Sequence, residues 1–259
     1  MRSIPLLAAF VAAAASSVAG ADCSRESPAA PVALLELYTS EGCNSCPPTD
    51  AWISALGKSA FAGDRAVVLA FHVDYWDGLG WRDRFGSSAH TDRQRALARR
   101  NRSGLVYTPQ VLVNGADFPQ RGDRSALDRA LAAAPAQPKA TLRLAVHPTS
   151  SAGADVGLDV SVAAAQGSGD LQAYLAVYQS GLSSDVRGGE NRGVHLAHDY
   201  VVRSLIGPIA LDAHGRLTTM RHVDLPPDAR PEQVGIAAFV ERDSHAEVLQ
   251  ATALPWCDK

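Results

Sequence analysis

The chain has 259 residues and a formal net charge of −3, with 46% hydrophobic and 20% charged side chains. This near-neutral balance excludes a broad basic surface, so we expect no nucleic-acid partner. The length allows two modest domains or one large domain.

The N-terminus has the pattern of a cleaved signal peptide. Arg2 supplies a positive charge, Ile4–Val18 is an apolar run, and Ala19–Ala21 is a small-residue cleavage site. The apolar run is shorter than the roughly 20 residues that a membrane-spanning helix needs. We therefore expect residues 1–21 to be removed and the mature chain to be periplasmic or secreted in a bacterium. No stable membrane insertion is expected after cleavage.

The first half of the mature chain predicts strands alternating with helices. Apolar runs bounded by turn residues indicate the strands, and Asn114-Gly115 indicates a hairpin turn. The expected elements are a strand at Val32–Thr39, a helix at Pro47–Ala60, a strand at Ala66–Val73, a helix from Ser87 or Ser88 to Arg102, strands at Val111–Val113 and Asp117–Gln120, and a helix from Asp123 or Ser125. This order indicates an α/β layer with a mixed sheet.

The pattern of apolar residues changes after residues 135–139, which we interpret as a linker. Beyond it, apolar and polar residues alternate in short segments such as Leu142–Val146 and Leu171–Val177. Short alternating segments separated by turn residues predict an antiparallel β-sandwich. The polar and glycine-rich segment Ser180–Arg192 is expected to be a long exposed loop.

Four cysteines remain in the predicted mature chain. Cys43 and Cys46 are three residues apart, which suits a redox loop, whereas Cys23 and Cys257 lie near the two ends. An even number of cysteines in an oxidising compartment suggests two disulfides. We expect Cys23–Cys257 to be a structural bridge, and a second redox centre is the alternative.

The sequence Cys43-Asn44-Ser45-Cys46 stands between a predicted buried strand and a helix that begins at Pro47. At the start of a helix, Cys43 lies near free backbone N–H groups and the positive end of the helix dipole, and both favour the nucleophilic thiolate. Cys46 lies one turn further in and suits the role of resolving thiol. The spacing alone is weak evidence, because it also serves as half of a zinc site.

A second motif lies well downstream. Thr108-Pro109 directly precedes the third predicted strand, and Pro109–Ala132 contains a proline, a strand, an Asn-Gly turn, a strand, a glycine and a helix in that order. Together with Cys43 and Cys46, this order resembles the thioredoxin superfamily. The resemblance implies that Pro109 is a cis-proline facing the disulfide and that Thr108 offers backbone hydrogen bonds to an incoming peptide.

Three segments narrow the resemblance, namely Glu36–Pro48, His72–Trp81 and Tyr107–Val111. They look like an exported bacterial family labelled domain of unknown function 1223. That resemblance implies a thioredoxin-like α/β domain, with a mixed sheet and flanking helices, at residues 22–134. The expected fold is this domain followed by an all-β antiparallel sandwich domain at residues 140–259.

Glu36 and three aromatic residues complete the predicted site. Many thioredoxin-like proteins keep a buried acid on the strand before the two cysteines, where it accepts a proton from the resolving thiol, and Glu36 is the candidate here. The alternative is a solvent-exposed residue at a strand edge. Tyr75, Trp76 and Trp81 form either a hydrophobic lip that holds substrate peptide near Cys43 or a small core over the sheet edge.

The histidines offer weaker candidates. We interpret His72 as a core histidine whose hydrogen bonds are satisfied. On a strand, His195 and His198 would point to opposite faces, so we expect no metal site there.

The sequence therefore predicts a thiol–disulfide oxidoreductase whose partners are protein or peptide thiols and disulfides and an unidentified redox partner. We expect no cofactor and no bound metal. One alternative is a periplasmic copper-handling protein in which the paired cysteines and His72 bind Cu(I). Another is a non-enzymatic binding module with a static disulfide that works through Ser180–Arg192.

Overall fold

The computed structural model describes residues 23–59, 63–132, 137–150, 152–163 and 169–257. The expected signal peptide at residues 1–21 lies outside these residues, and so does part of the expected linker at residues 135–139. Within the described ranges, none of the helices has the length and apolar character needed to cross a lipid bilayer.

The described elements are mainly strands. The strands are β1 (Cys23–Glu26), β2 (Ala33–Thr39), β3 (Ala66–His72), β4 (Gln110–Val113), β5 (Ala116–Asp117), β6 (Ala140–Ser150), β7 (Gly153–Val162), β8 (Leu171–Gln179), β9 (Leu182–Asp185), β10 (His195–His198), β11 (Val201–Ala210), β12 (Arg216–Asp224), β13 (Val234–Arg242) and β14 (Glu247–Pro255). The α-helices are α1 (Pro47–Gly57), α2 (Ser88–Arg100) and α3 (Arg124–Ala132).

An eight-stranded sheet runs through the molecule in the order β14-β13-β8-β11-β3-β2-β4-β5. β2 and β3 are parallel, and β3 meets β11 in a parallel bridge between Ala70 and Val201. The other neighbouring strands of this sheet are antiparallel. A second sheet, in the order β1-β6-β7-β12, is antiparallel throughout, and β9 pairs with β10 as a separate antiparallel ribbon.

The two larger sheets pack face to face over one hydrophobic core. Leu142 and Leu144 of β6 share this core with Leu175 of β8 and Ile236 of β13. Alternate residues of each strand point into the core, as the sequence pattern predicts.

The predicted fold class is wrong. We expected a thioredoxin-like α/β domain followed by a separate sandwich domain, but β8, β11, β13 and β14 continue the sheet that contains β2 to β5. β1 in turn joins β6 in the second sheet. Alternation of apolar residues identifies buried side chains but not the neighbour of each strand. Here β11 covers the edge of β3 that a separate first domain would leave unpaired.

The helices cover opposite faces of β2. Leu35 and Leu37 pack against Ile53 of α1, whereas Leu34 and Tyr38 pack on the side of Leu97 of α2. Because side chains alternate along a strand, Glu36 shares the α2 face with Tyr38. The carboxyl end of β2 leads directly into the segment that holds Cys43 and Cys46.

Cys23 and Cys257 form the expected disulfide between positions 234 residues apart. Both cysteines are partly buried against the core between the two sheets. The bridge therefore joins β1 to the segment that follows β14.

Candidate functional site

Cys43 and Cys46 form a disulfide between β2 and α1. The backbone N–H groups of Thr49 and Asp50 donate to the Cys46 carbonyl at 2.9 and 3.1 Å, which begins the helix at this point. The exposed fraction of each cysteine is 0%. The disulfide therefore lies beneath the surface in this structure.

Asp50 places a buried carboxyl group one helical turn after Cys46. Its Oδ2 accepts a hydrogen bond from Thr39 Oγ1 at 3.1 Å. Burial raises the pKa of Asp50 to about 6, although the charges of His72 and His198 act in the opposite direction. A carboxyl group with a pKa of about 6 thus lies in the first turn of the helix that follows Cys46.

Two histidine–carboxylate pairs lie close enough to Asp50 to influence its pKa. His72 Nδ1 is 2.6 Å from Asp83 Oδ2, and His198 Nε2 is 3.3 Å from Glu41 Oε1. The two imidazole rings meet edge to face, with their centroids 4.9 Å apart. Burial alone would lower the pKa of His72, but the charge and hydrogen bond of Asp83, together with the charges of Asp50 and Glu41, outweigh it and the pKa is raised.

Glu41 makes hydrogen bonds through both its side chain and its backbone N–H. Its Oε2 accepts from Trp81 Nε1 at 2.7 Å, and its backbone N–H donates to Asp83 Oδ2 at 2.9 Å. Burial and the charge of Asp83 would raise the pKa of Glu41, but contacts with His198, Ser184 and Trp81 together outweigh them, so the pKa is lowered.

We call this group the acid–histidine cluster. Its members are Glu41, Asp50, His72, Asp83 and His198. Within this cluster, His72 Nε2, both ring nitrogens of His198 and Glu41 Oε1 have no hydrogen-bond partner among the described residues, so the contact of His198 with Glu41 is one of charge and proximity only. The same part of the chain contains no group of three or more His, Cys, Asp or Glu side chains arranged to hold a metal ion.

Residues 186–194, which we call the strap, contact the backbone of residues 41–44 next to the disulfide. Asn191 Nδ2 donates to the backbone oxygens of Glu41 and Cys43 at 2.8 and 3.0 Å. The Asn44 N–H donates to Glu190 Oε2 at 3.1 Å. The expectation that Ser180–Arg192 is only an exposed loop is therefore wrong, since it contains β9 and the buried Asn191.

The peptide bond between Thr108 and Pro109 is cis, as the resemblance implies. Trp76 Nε1 donates to Thr108 Oγ1 at 2.8 Å. A Cβ atom added to Gly42 would lie 3.1 Å from Trp76 Cβ. Trp76 thus connects the segment of Pro109 with the residue next to Cys43.

The model of a protein family described as protein of unknown function (DUF1223) matches residues 34–241. The chain belongs to this family. A search of curated proteins finds no match.

Two solved structures share the fold of this DUF1223 chain. Protein AGR_C_4864 from Agrobacterium tumefaciens is 24% identical with a TM-score of 0.61, and the match covers 89% of this chain and 96% of that one. HBP35 of Porphyromonas gingivalis is 16% identical with a TM-score of 0.67, and the match covers 87% of this chain and 75% of that one. At these identities the likeness shows the fold alone.

Glu36 lies in a different environment from the two cysteines of this DUF1223 chain. Its Oε1 accepts from Arg93 Nε at 2.8 Å and from the Tyr38 hydroxyl at 3.2 Å. Arg93 Nη2 also donates to Glu241 at 2.9 Å. Arg100 bonds the same Glu241 at 3.1 Å. We call Glu36, Arg93, Arg100 and Glu241 the arginine cluster.

The sequence analysis missed the acid that lies beside the cysteines. Asp50 follows Cys46 by four residues, and on a helix this spacing places both residues on one face. That spacing was available in the sequence, whereas the opposite location of Glu36 follows from its pairing with Arg93.

The aromatic residues after β3 are held by hydrogen bonds within the protein. The Tyr75 hydroxyl donates to Gln94 Oε1 at 3.3 Å, and the Trp76 and Trp81 indoles donate to Thr108 and Glu41. All three rings are half-buried. Their role in substrate binding stays a prediction.

The two histidines of β10 point to opposite sides, as the sequence predicts. His195 is exposed and pairs with Asp185 at 2.8 Å, whereas His198 is buried in the acid–histidine cluster.

Proposed function

We propose that this DUF1223 protein is an exported thiol–disulfide oxidoreductase that acts through Cys43 and Cys46. The observation that supports it is the disulfide at the start of α1 with the buried Asp50 one turn away. A carboxyl group that titrates at about pH 6 is suited to exchange protons with a thiol at neutral pH.

Cys43 is the proposed nucleophile, because it precedes the helix whose free N–H groups and dipole favour a thiolate. In the reductive direction, the Cys43 thiolate attacks one sulfur of a substrate disulfide. A mixed disulfide forms, and the other substrate sulfur leaves as a thiolate. The Cys46 thiolate then attacks Cys43 Sγ, which forms the Cys43–Cys46 disulfide and releases the second substrate thiolate.

Asp50 is the proposed proton acceptor for Cys46. Its ionised carboxylate takes the thiol proton as Cys46 attacks, and returns it when the pair is reduced again. Burial raises the pKa of Asp50, and the charges of His72 and His198 favour its ionised form. The pKa of Asp50 is therefore about 6.

The proposed partners are protein or peptide disulfides and thiols. A full catalytic cycle in the reductive direction needs a dithiol donor that returns Cys43 and Cys46 to their reduced forms. Thr108 and Pro109 are proposed to face the bound peptide, and Trp76 holds Thr108 in place through its hydrogen bond. Export is proposed from the signal-peptide pattern of residues 1–21.

Trapping of the mixed disulfide tests this proposal. Reduced Cys46→Ser and Cys43→Ser variants are mixed with oxidised glutathione, quenched by alkylation and analysed by mass. We expect one glutathione adduct on Cys43 in the Cys46→Ser variant and little adduct on the Cys43→Ser variant. A Cys43→Ser/Cys46→Ser double variant controls for adducts on Cys23 and Cys257. Equal labelling of the two single variants, or none in either, would contradict the assigned roles.

A further inference from the structure

We propose that the strap is a gate over the disulfide that an extended substrate chain displaces. This inference rests on the proposed exchange function. It concerns how Cys43 becomes accessible and which shape of substrate the site selects.

Access is the first reason. Thiol–disulfide exchange requires an attacking sulfur to approach a sulfur of the disulfide directly. Cys43 and Cys46 are each 0% exposed in the oxidised protein. Whatever covers them therefore has to move before an external thiol reacts.

The contacts of the strap are the second reason. Asn191 Nδ2 donates to the backbone carbonyls of Glu41 and Cys43. The Glu190 carboxylate accepts from the Asn44 N–H. The strap thus engages two acceptors and one donor of the main chain. An extended peptide offers the same complementary groups along its own backbone. The substrate favoured by this site is therefore an extended polypeptide segment that carries a cysteine.

The composition of the strap is the third reason. Gly189 and Gly193 have positive φ angles of 66° and 85°, which favour glycine. Gly188 lies directly on the loop after β3, since a Cβ atom there would be 2.2 Å from the Gly80 carbonyl oxygen. Polar contacts and glycines hold this segment, with Val186 as its buried apolar side chain, so local opening costs little free energy compared with unfolding.

The rate at which dithiothreitol reduces Cys43–Cys46 tests the gate. The proteins are wild type, Asn191→Ala, Glu190→Ala and the matched control Arg192→Ala, whose exposed side chain lies on the same strap. Alkylation, digestion and mass analysis separate this disulfide from Cys23–Cys257.

We expect Asn191→Ala to be reduced roughly tenfold faster, because two hydrogen bonds that close the strap are lost. Glu190→Ala should accelerate reduction by a smaller factor, and Arg192→Ala should match wild type. Because the Glu190 side chain is on the surface, that variant keeps the test decisive if Asn191→Ala does not fold.

Equal reduction rates for Glu190→Ala, Asn191→Ala and Arg192→Ala would overturn the gate. A merely structural role for Asn191 would lower the unfolding midpoint and leave the reduction rate unchanged. The test uses a small thiol and needs no turnover. Faster reduction of the strap variants without glutathione trapping on Cys43 would therefore support the gate and reject the oxidoreductase. Trapping on Cys43 with unchanged reduction rates would support the oxidoreductase and reject the gate.

Discussion

The arginine cluster and the acid–histidine cluster are both buried next to β2, yet their charges are arranged differently. In the arginine cluster, two guanidinium groups meet the carboxylates of Glu36 and Glu241. Arginine keeps its charge at all accessible pH values, whereas burial raises the pKa of Glu36 although the Arg93 charge beside it acts in the opposite direction. The guanidinium of Arg93 also stacks 4.8 Å from the Tyr174 ring and 5.0 Å from the Phe239 ring.

The acid–histidine cluster has three carboxyl groups and two histidines, and none of its side chains carries a permanent charge as arginine does. If both histidines are charged, one carboxyl group is in excess, and Asp50 is the group whose pKa is raised to about 6. The comparison teaches that burial of charge serves two purposes here. The arginine cluster joins α2 to β2 and β13, and the acid–histidine cluster contains a carboxyl group with a raised pKa one helical turn after Cys46.

The largest effect should come from breaking the arginine cluster. Arg93→Met leaves Glu36 and Glu241 buried without their main partner, and we expect it to lower the free energy of unfolding by about 3–5 kcal/mol. Urea unfolding at pH 7 measures this loss. The matched control is Arg95→Ala on the same helix, which removes an exposed pair with Asp92 at 3.9 Å and should cost about 0.5 kcal/mol or less. Similar losses in the two variants would reject a structural role for the cluster.

A change of opposite sign is expected in the acid–histidine cluster. The pKa of Asp50 is about 6 in the folded protein and 3.8 in an unfolded chain, so ionisation of this group opposes folding as the pH rises through 6. Asp50→Asn should therefore raise the free energy of unfolding by about 3 kcal/mol at pH 8. At pH 4 the carboxyl group is neutral in the folded protein and only partly ionised in the unfolded chain, so most of this difference in stability should be absent.

Unfolding in urea at pH 8 and pH 4 tests this difference. Asp92→Asn, at an exposed position of α2, controls for loss of a carboxylate as such. A destabilised Asp50→Asn variant at pH 8 would mean that Asp50 is ionised and favourably paired, and would remove it as the proton acceptor.

A smaller effect should follow from removing one donor to the acid–histidine cluster. Trp81→Phe deletes the N–H that bonds the Glu41 carboxylate, and we expect a loss of about 1.5 kcal/mol at pH 7. Trp76→Phe deletes a neutral hydrogen bond to Thr108 and should cost about 0.5–1 kcal/mol. The pKa of Glu41 is lowered, so its contribution is present above pH 4.5 and falls as the pH drops below that value.

Urea unfolding of both tryptophan variants at pH 7 and pH 4 checks this order. The difference between them should narrow at pH 4. If Trp76→Phe lowers the free energy of unfolding more than Trp81→Phe at both pH values, the hydrogen bond from Trp81 to Glu41 does not make the expected contribution to stability.

Much of the local structure could be predicted from the sequence. The strand at Ala33–Thr39 and the helix from Pro47 follow from short apolar runs and the turn residues that bound them. The cis bond before Pro109 follows from the resemblance. The strand and the helix depend on neighbours in the chain, so a single sequence contains the information for them, whereas the cis bond rests on the resemblance.

The pairings between distant residues could not be predicted. Glu36 is buried because Arg93 and Glu241 meet it from α2 and β13, and Asn191 reaches Cys43 across 148 positions of sequence. No periodicity specifies such contacts. The pairing of β3 with β11 is also a contact between distant residues. The sequence therefore did not predict the continuous sheet, and we expected two separate domains instead.

The reduction potential of the Cys43–Cys46 pair tests the central claim most directly. Mature protein is equilibrated in a series of glutathione buffers, and free thiols at the two positions are alkylated and counted by mass. We predict a value between roughly −120 and −270 mV, the range of working exchange catalysts. A value below roughly −300 mV would identify the pair as a structural bridge and contradict the proposed oxidoreductase.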